Sequence, residues 1–256
     1  MGEIKKIGVL TSGGDAPGMN AALRAVVRSA IYRGITPYGI SHGYNGLIEG
    51  DIRELQSNDV SNTIQRGGTI LGTARSKEFK TPEGRKEAYE NLRAHNIDAV
   101  VVIGGDGTFT GAGIFGKEYD IPFVGIPGTI DNDMYGTDHT IGFDTALNTV
   151  VESIDRIKDT ASSHGRLFFI EVMGRNAGFI AMMAGISTGA EAILIPERRT
   201  PVNHLREFLE TSYKNKKTSG IVIVAEGDES GGAFKLADKI NKETDVSRWK
   251  KVVLRI

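Results

Sequence analysis

Residues 99–108 read Ala99-Val100-Val101-Val102-Ile103-Gly104-Gly105-Asp106-Gly107-Thr108. The apolar, mostly β-branched run suits a strand buried on both faces, and the glycines that follow it end the strand. Residues 122–133 repeat the arrangement, with Pro122-Phe123-Val124-Gly125-Ile126 leading into Pro127-Gly128-Thr129-Ile130-Asp131-Asn132-Asp133. In an open parallel sheet, ligands bind beyond the carboxyl ends of the strands. Glycines there let the backbone approach a phosphate with its amide groups donating. Asp106, Asp131 and Asp133 add carboxylates at these two strand ends. Carboxylates beside phosphates suit Mg2+, and the combination reads as phosphoryl transfer.

Working outward, Ile7-Gly8-Val9-Leu10 predicts a strand ending in Thr11-Ser12-Gly13-Gly14-Asp15. Met19 to Arg33 has helical spacing, with Ala22, Val26 and Ala30 on one face. Tyr38-Gly39-Ile40 is a weak strand, and the polar stretch 57–80 reads as a short helix and a loop ending at Arg75-Ser76. Pro82 starts a helix that runs to about His95. A helix over 107–117 and a long amphipathic helix from Gly142 to Ala161 complete the first half. The pattern then recurs. Strands are expected at Leu167–Val172, Ala192–Ile195, Ile221–Ala225 and Lys251–Leu254, and helices at Ala177–Ile186, Val202–Lys214 and Ala233–Lys242. Alternating strands and helices imply parallel sheets covered on both faces. The expected fold is therefore α/β, with two doubly wound (Rossmann-like) parallel-sheet domains, 1–142 and 143–256, divided at the long helix.

The bulk numbers narrow the function. Among 256 residues, 31 Lys and Arg balance 32 Asp and Glu, which lacks the basic excess of a nucleic-acid footprint. Cysteine is absent, so disulfides and thiolate metal sites are excluded. No apolar run approaches the roughly 20 residues of a membrane helix. Met1 to Lys6 lacks a signal-peptide core, and Lys6 stands where a myristoylation signal needs Ser or Thr. A cytoplasmic protein without membrane or nucleic-acid partners is expected. The 33 glycines are well above the usual roughly 7%.

Each motif also has a plain structural reading. Gly13 and Gly18 have the glycine spacing of a P-loop, but Met19-Asn20 replaces its Lys-Ser/Thr pair. The turn still opens a helix, so it is either an anion site or a tight strand-to-helix turn. Gly105-Asp106-Gly107 is followed by Gly111, one position late for a dinucleotide fingerprint, and Asp106 could serve as a helix cap. Asp131-Asn132-Asp133 could be a solvated turn. Arg75, Arg166 and Arg175 border strand ends or glycine turns, where a guanidinium suits bidentate phosphate contacts. His42, His95, His139, His164 and His204 have no metal-ligand spacing.

Taken together, Thr-Ser-Gly-Gly-Asp-Ala-Pro-Gly-Met-Asn-Ala from Thr11, Ile-Gly-Gly-Asp-Gly-Thr from Ile103, Pro-Gly-Thr-Ile-Asp-Asn-Asp from Pro127 and Glu-Val-Met-Gly-Arg from Glu171 resemble the bacterial 6-phosphofructokinases. The likeness runs to about residue 243. It implies transfer of a phosphoryl group from ATP, with Mg2+, to the 1-hydroxyl of fructose 6-phosphate, by a homotetramer under allosteric control. It further implies that Gly14, Arg75, Ser76, Gly105, Asp106, Gly107 and Thr108 bind ATP, and that Asp106 holds the metal. Asp131 would accept the hydroxyl proton, with Thr129 and Asp133 positioning that end of the site and Arg175 stabilising charge on the transferred group. Thr129, Ile130, Asp131, Met173, Gly174, Arg175 and Glu226 would line the sugar-phosphate site, which Arg166 would reach from a neighbouring subunit. Gly107 and Gly128 match the ATP-dependent branch, whose pyrophosphate-dependent relatives tend to carry Asp and Lys there.

Arg24, Arg28, Lys158, Gly189, Glu191 and Lys217 match the family's pocket for ADP or phosphoenolpyruvate as effectors. Lys158 replaces a usual Arg, and Asn215 and Ser57 stand where some members have Arg, which implies weaker anion binding. The stretch Asp245 to Lys251 departs from the family. The family's Gly-His-Ile-Gln-Arg-Gly-Gly motif and a further upstream Arg have no counterpart here. The resemblance is therefore to a C-terminally shortened member, expected to bind fructose 6-phosphate poorly and to be less stable. A non-catalytic nucleotide-binding remnant, or a kinase of the NAD or lipid type sharing Gly-Gly-Asp-Gly-Thr, are the alternative readings.

Overall fold

The computed structural model describes residues 3–242 and 250–256. The chain forms two compact units. One is Met1–Ile130 with Met134–Gly142, and the other is Asp131–Asp133 with Phe143–Ile256.

In the first unit, β1 (Lys6–Ser12), β2 (Thr36–Ile40), β3 (Ile52–Glu54), β4 (Ala99–Gly104), β5 (Phe123–Thr129) and β6 (Ile141–Gly142) form one sheet, ordered β3-β2-β1-β4-β5-β6. Every pair is parallel except β2–β3. Side chains alternate across the sheet, so each central strand feeds two cores. Leu10, Val100 and Val102 pack with Leu47, Leu92 and Phe115 from α2 (Tyr44–Glu49), α3 (Pro82–Ala94) and α4 (Asp106–Tyr119). Val9 and Ile103 pack the other way, against Met19, Leu23 and Val27 of α1 (Met19–Tyr32). Each fully buried Leu or Phe contributes roughly 1.5–3 kcal/mol, so the two faces hold the sheet from both sides.

Several expectations change. α1 buries Met19, Asn20, Leu23, Val27 and Ala30, while Ala22 and Val26 are half-buried. α2 and β3 were not legible in the sequence, and β3 breaks the all-parallel pattern. No α-helix forms within 57–80. Turns lead there to one 3-10 turn, Glu78–Lys80. The glycine-rich 66–74 backbone instead bonds to side chains and to the end of β1. α3 starts as expected at Pro82, with the Thr81 hydroxyl accepting the Gly84 N–H at 3.1 Å.

In the second unit, β7 (Arg166–Val172), β8 (Ala192–Leu194), β9 (Gly220–Ala225) and β10 (Lys250–Arg255) form an all-parallel sheet ordered β10-β7-β9-β8. α7 (Val202–Lys214) and α8 (Gly232–Lys242) cover one face, where Leu205, Leu209 and Leu236 meet Leu167, Phe169, Val222 and Val224. α5 (Phe143–His164) and α6 (Phe179–Thr188) also lie against this sheet. The departure at 245–249 lies outside the described residues, while Lys250 and Lys251 begin β10. No helix among the described residues is long and apolar enough to cross a membrane.

Asp98, just before β4, accepts the backbone N–H groups of Lys5 at 2.8 Å and Lys6 at 2.9 Å. These bonds hold its carboxyl below the usual carboxylate range. A depressed folded pKa stabilises the fold above the unfolded value of about 3.9 and loses that stabilisation as pH falls through the folded value. Asp98→Asn should therefore lower the melting temperature at pH 7, with a deficit that closes as the pH drops below the carboxylate range. Thermal melts of both proteins across pH check this, and an equal deficit at pH 7 and pH 3 would contradict it.

Candidate active site

The strand ends of the first unit carry most of the singled-out residues. Register pairs Ser12 with Gly104 and Gly104 with Pro127, so the ends of β1, β4 and β5 lie side by side. A Cβ on Gly104 would strike the Ser12 carbonyl and come within 2.5 Å of Thr108 Oγ1, so only glycine fits. Thr108 Oγ1 donates to the Ser12 carbonyl at 3.0 Å, and the Tyr44 hydroxyl donates to the Thr108 carbonyl at 2.6 Å. Burial pushes the Tyr44 phenol well above its ordinary pKa, so it stays a donor. The Thr108 hydroxyl is thus committed inward and braces the turn.

Asp106 and Gly107 are exposed at the first turn of the 14-residue α4. The helix dipole there favours anions. A Cβ on Gly107 would meet open space, as would one on the exposed Gly14. Gly128 differs, because a Cβ there would press on Ile103 at 3.1 Å and Met19 at 3.2 Å. Its small size therefore has a packing reason as well. No group of three or more His, Asp or Glu side chains among the described residues could hold a metal by itself. One exposed carboxylate, Asp106, still fits Mg2+, which often takes one or two carboxylates and completes its shell with phosphate oxygens and water.

Arg75 and Ser76 come beside this edge through a run of hydrogen bonds. Gly13 N–H donates to the Ala74 carbonyl at 3.2 Å, and Thr73 Oγ1 donates to the Gly13 carbonyl at 3.0 Å. Thr11 Oγ1 donates to the Gly72 carbonyl at 2.8 Å. Arg75 is exposed, and Ser76 Oγ accepts the Phe79 N–H at 3.1 Å. At the end of β5 the Thr129 carbonyl accepts the Thr140 hydroxyl at 2.8 Å, and Ile130 follows half-buried. Asp131, half-buried, and Asp133, exposed, belong to the second unit.

In that unit, Val172 pairs with Ala225, so Met173-Gly174-Arg175 and Glu226 emerge side by side. Arg175 takes a left-handed conformation with φ 55°, and its N–H donates to Glu226 Oε1 at 2.7 Å. Met173, Arg175 and Glu226 are exposed, while Gly174 is buried. Arg166 lies at the opposite end of β7, seven residues from Met173. At about 3.3 Å per residue the separation is roughly 20 Å, so one chain does not bring Arg166 to the Arg175–Glu226 edge.

The six residues matched to an effector pocket fall in two groups. In the first unit, Arg24 donates to the Val60 carbonyl at 2.6 Å and Arg28 to the Ser57 carbonyl at 3.3 Å. In the second, Lys158 donates to the Thr188 carbonyl beside Gly189, and Lys217 pairs with Glu191 at 2.7 Å. Both lysines are therefore already engaged.

Comparison with known proteins adds ancestry to this geometry. Residues 6–255 match the phosphofructokinase family. The chain is 59% identical over 243 residues to ATP-dependent 6-phosphofructokinase 2 of Bacteroides thetaiotaomicron, covering 95% of this chain and 74% of that protein. It is 58% identical over 243 residues to ATP-dependent 6-phosphofructokinase 1 of Thermus thermophilus, covering 95% and 76%. Among solved structures, a phosphofructokinase from Saccharomyces cerevisiae superposes with a TM-score of 0.90 at 40% identity, over 98% of this chain but 38% of that one. A pyrophosphate-dependent phosphofructokinase from Marinobacter aquaeolei, at 23% identity and a TM-score of 0.81, shares the fold.

The two glycines of the β4 turn should respond oppositely to one methyl group. Gly104→Ala forces Ser12 and Thr108 apart and should cost about 1–3 kcal/mol, as overpacking does. Gly107→Ala points into open space and should leave fold stability unchanged or slightly raised. Urea unfolding of the two variants measures the contrast, and equal midpoints would refute it.

Proposed function

Because the chain belongs to the phosphofructokinase family, we propose that it catalyses a phosphoryl transfer. The reaction moves the γ-phosphoryl group of ATP to the 1-hydroxyl of fructose 6-phosphate, giving fructose 1,6-bisphosphate and ADP, a step of glycolysis. The first unit takes the nucleotide on Gly14, Arg75, Ser76 and the turn Gly105 to Thr108. The second takes the sugar phosphate on Met173, Gly174, Arg175 and Glu226. Asp106 holds Mg2+, which neutralises phosphate charge when bound. The observation that carries this reading is the Gly104–Thr108 turn braced against Ser12, with the open space at Gly107 suiting a nucleotide rather than pyrophosphate.

Phosphoryl transfer is mainly positioning and charge stabilisation. The sugar hydroxyl oxygen bonds to the γ-phosphorus as the bond to the bridging oxygen breaks. Asp131 takes the hydroxyl proton, ADP leaves with the bridging oxygen, and Arg175 stabilises charge on the group in transit. Thr129, Ile130 and Asp133 set the approach at that end. Arg166 acts from a second copy of the chain, which fits its place at the far end of β7 and the homotetramer of the family. ADP or phosphoenolpyruvate binds weakly at Arg24, Arg28, Lys158, Gly189, Glu191 and Lys217, since Lys158 and Lys217 must first release their partners. We place the reaction in the cytoplasm.

A coupled assay tests the chemistry. Asp131→Ala should lower kcat by roughly 10²–10⁴ with little change in ATP affinity, as loss of a positioned base does. Near-normal kcat would remove Asp131 from the mechanism, and faster turnover with pyrophosphate would overturn the donor.

Sharing of the sugar site between copies is tested by mixing. Arg166→Ala and Arg175→Ala should each be nearly inactive alone. Co-refolded, they should recover activity, because some hybrid sites then hold both arginines. No recovery would place both residues in one chain's site or outside it.

A further inference from the structure

Asn20 is a polar residue with 1% exposure in the first turn of α1. Burying an amide is unfavourable unless its hydrogen bonds are met. Here they are met by one distant segment. Asn20 Nδ2 donates to the Arg66 carbonyl at 2.9 Å and to the Gly67 carbonyl at 3.3 Å. Its Oδ1 accepts the Ile70 N–H at 2.8 Å. We propose that Asn20 is a positioning residue for the nucleotide: it pins the 66–70 turn to α1 and so aims Arg75 and Ser76 along the Gly13–Gly14 turn. This rests on the nucleotide site proposed above.

The segment is held at two points. The end nearer Arg75 is tied to β1, through Thr11 to Thr69 and Gly72, Gly13 to Ala74, and Thr73 to Gly13. β1 lies between β2 and β4, so that anchor is rigid. At the end nearer Arg66, it is Asn20 that ties Arg66, Gly67 and Ile70 to α1. The residue type matters. Two donors and an acceptor are needed on one short side chain, and a carboxylate of the same size offers no donor. An aspartate here would set its charge against two carbonyl oxygens.

The test uses the full chain. Asn20→Asp keeps the size and loses the donors, and Asn20→Ser is the milder variant should the first fail to fold. In whichever folds, KM for ATP and the Mg-ATP dissociation constant should rise about tenfold, on the scale of one lost hydrogen bond to a buried group. KM for fructose 6-phosphate should stay within twofold. Hydrogen exchange should quicken over 66–76, and Mg-ATP should slow it there in the unaltered protein. Thr63→Val removes the buried Thr63-to-Val60 bond in the preceding turn and should lower the melting temperature without moving KM for ATP. Unchanged Mg-ATP affinity in a folded Asn20 variant, or KM values that rise equally for both substrates, would reduce Asn20 to a packing residue. If the unaltered protein neither binds Mg-ATP nor phosphorylates fructose 6-phosphate, the functional reading fails and the role of Asn20 with it. If it does both while the variants keep their affinity, only the role of Asn20 fails.

Discussion

The polar edge of the first unit depends on the missing side chain at Gly104. Parallel pairing puts its Cα opposite Ser12, where any Cβ would strike the Ser12 carbonyl. With that space empty, Thr108 reaches across and donates to the same carbonyl. The strand-to-helix turn after β4 is thereby bolted to the end of β1. Tyr44 then bonds the Thr108 carbonyl and stacks on Phe79 with ring centroids 3.8 Å apart. Phe79 in turn meets Phe115 edge-on at 5.3 Å. A turn offered to solvent is thus continuous with the apolar core beneath it, and its backbone is held in place from below.

The second unit builds its edge by a different bond. Parallel pairing of β7 and β9 brings Glu226 beside Arg175, and the Glu226 carboxylate accepts the Arg175 backbone N–H. The arginine is held by its backbone in a left-handed conformation, which leaves the guanidinium available to a ligand. Strand length sets the second constraint. Arg166 and Met173 bracket β7, so a strand about 20 Å long separates two groups proposed to meet one phosphate.

Much of this was legible from residues alone. The β-branched run at 99–103 and its glycine ending marked a buried parallel strand, because covered strands must be apolar on both faces; the apolar run at 122–126 marked a parallel strand too, although Val124 in it is exposed. Pro82 marked a helix start because proline suits a first helical turn. Gly-Gly-Asp-Gly-Thr, Pro-Gly-Thr-Ile-Asp-Asn-Asp and Met-Gly-Arg marked strand ends, because each follows an apolar run and opens on residues that end a strand. What failed was local and short. α2 spans six residues and β3 three, too few to show a period, and β3 is held by pairing with β2 rather than by its own pattern. The stretch 57–80 looked helical in part, yet it is a series of local turns whose 66–74 backbone also bonds to Asn20, Thr11 and Gly13, tens of residues away.

The sequence by itself determined the strand-and-helix alternation, the glycine-acid turns and the family, since each is written in neighbouring residues or in their order. Tertiary structure alone decided what those residues do for one another. It turned the Thr108 hydroxyl inward, separated the packing need at Gly128 from the open space at Gly107, parted Arg166 from Arg175, and gave Asn20 three partners on a distant loop. The physical reason is that hydrogen bonds and steric exclusion act over about 3 Å in space, and strand pairing brings to that distance residues a sequence keeps far apart.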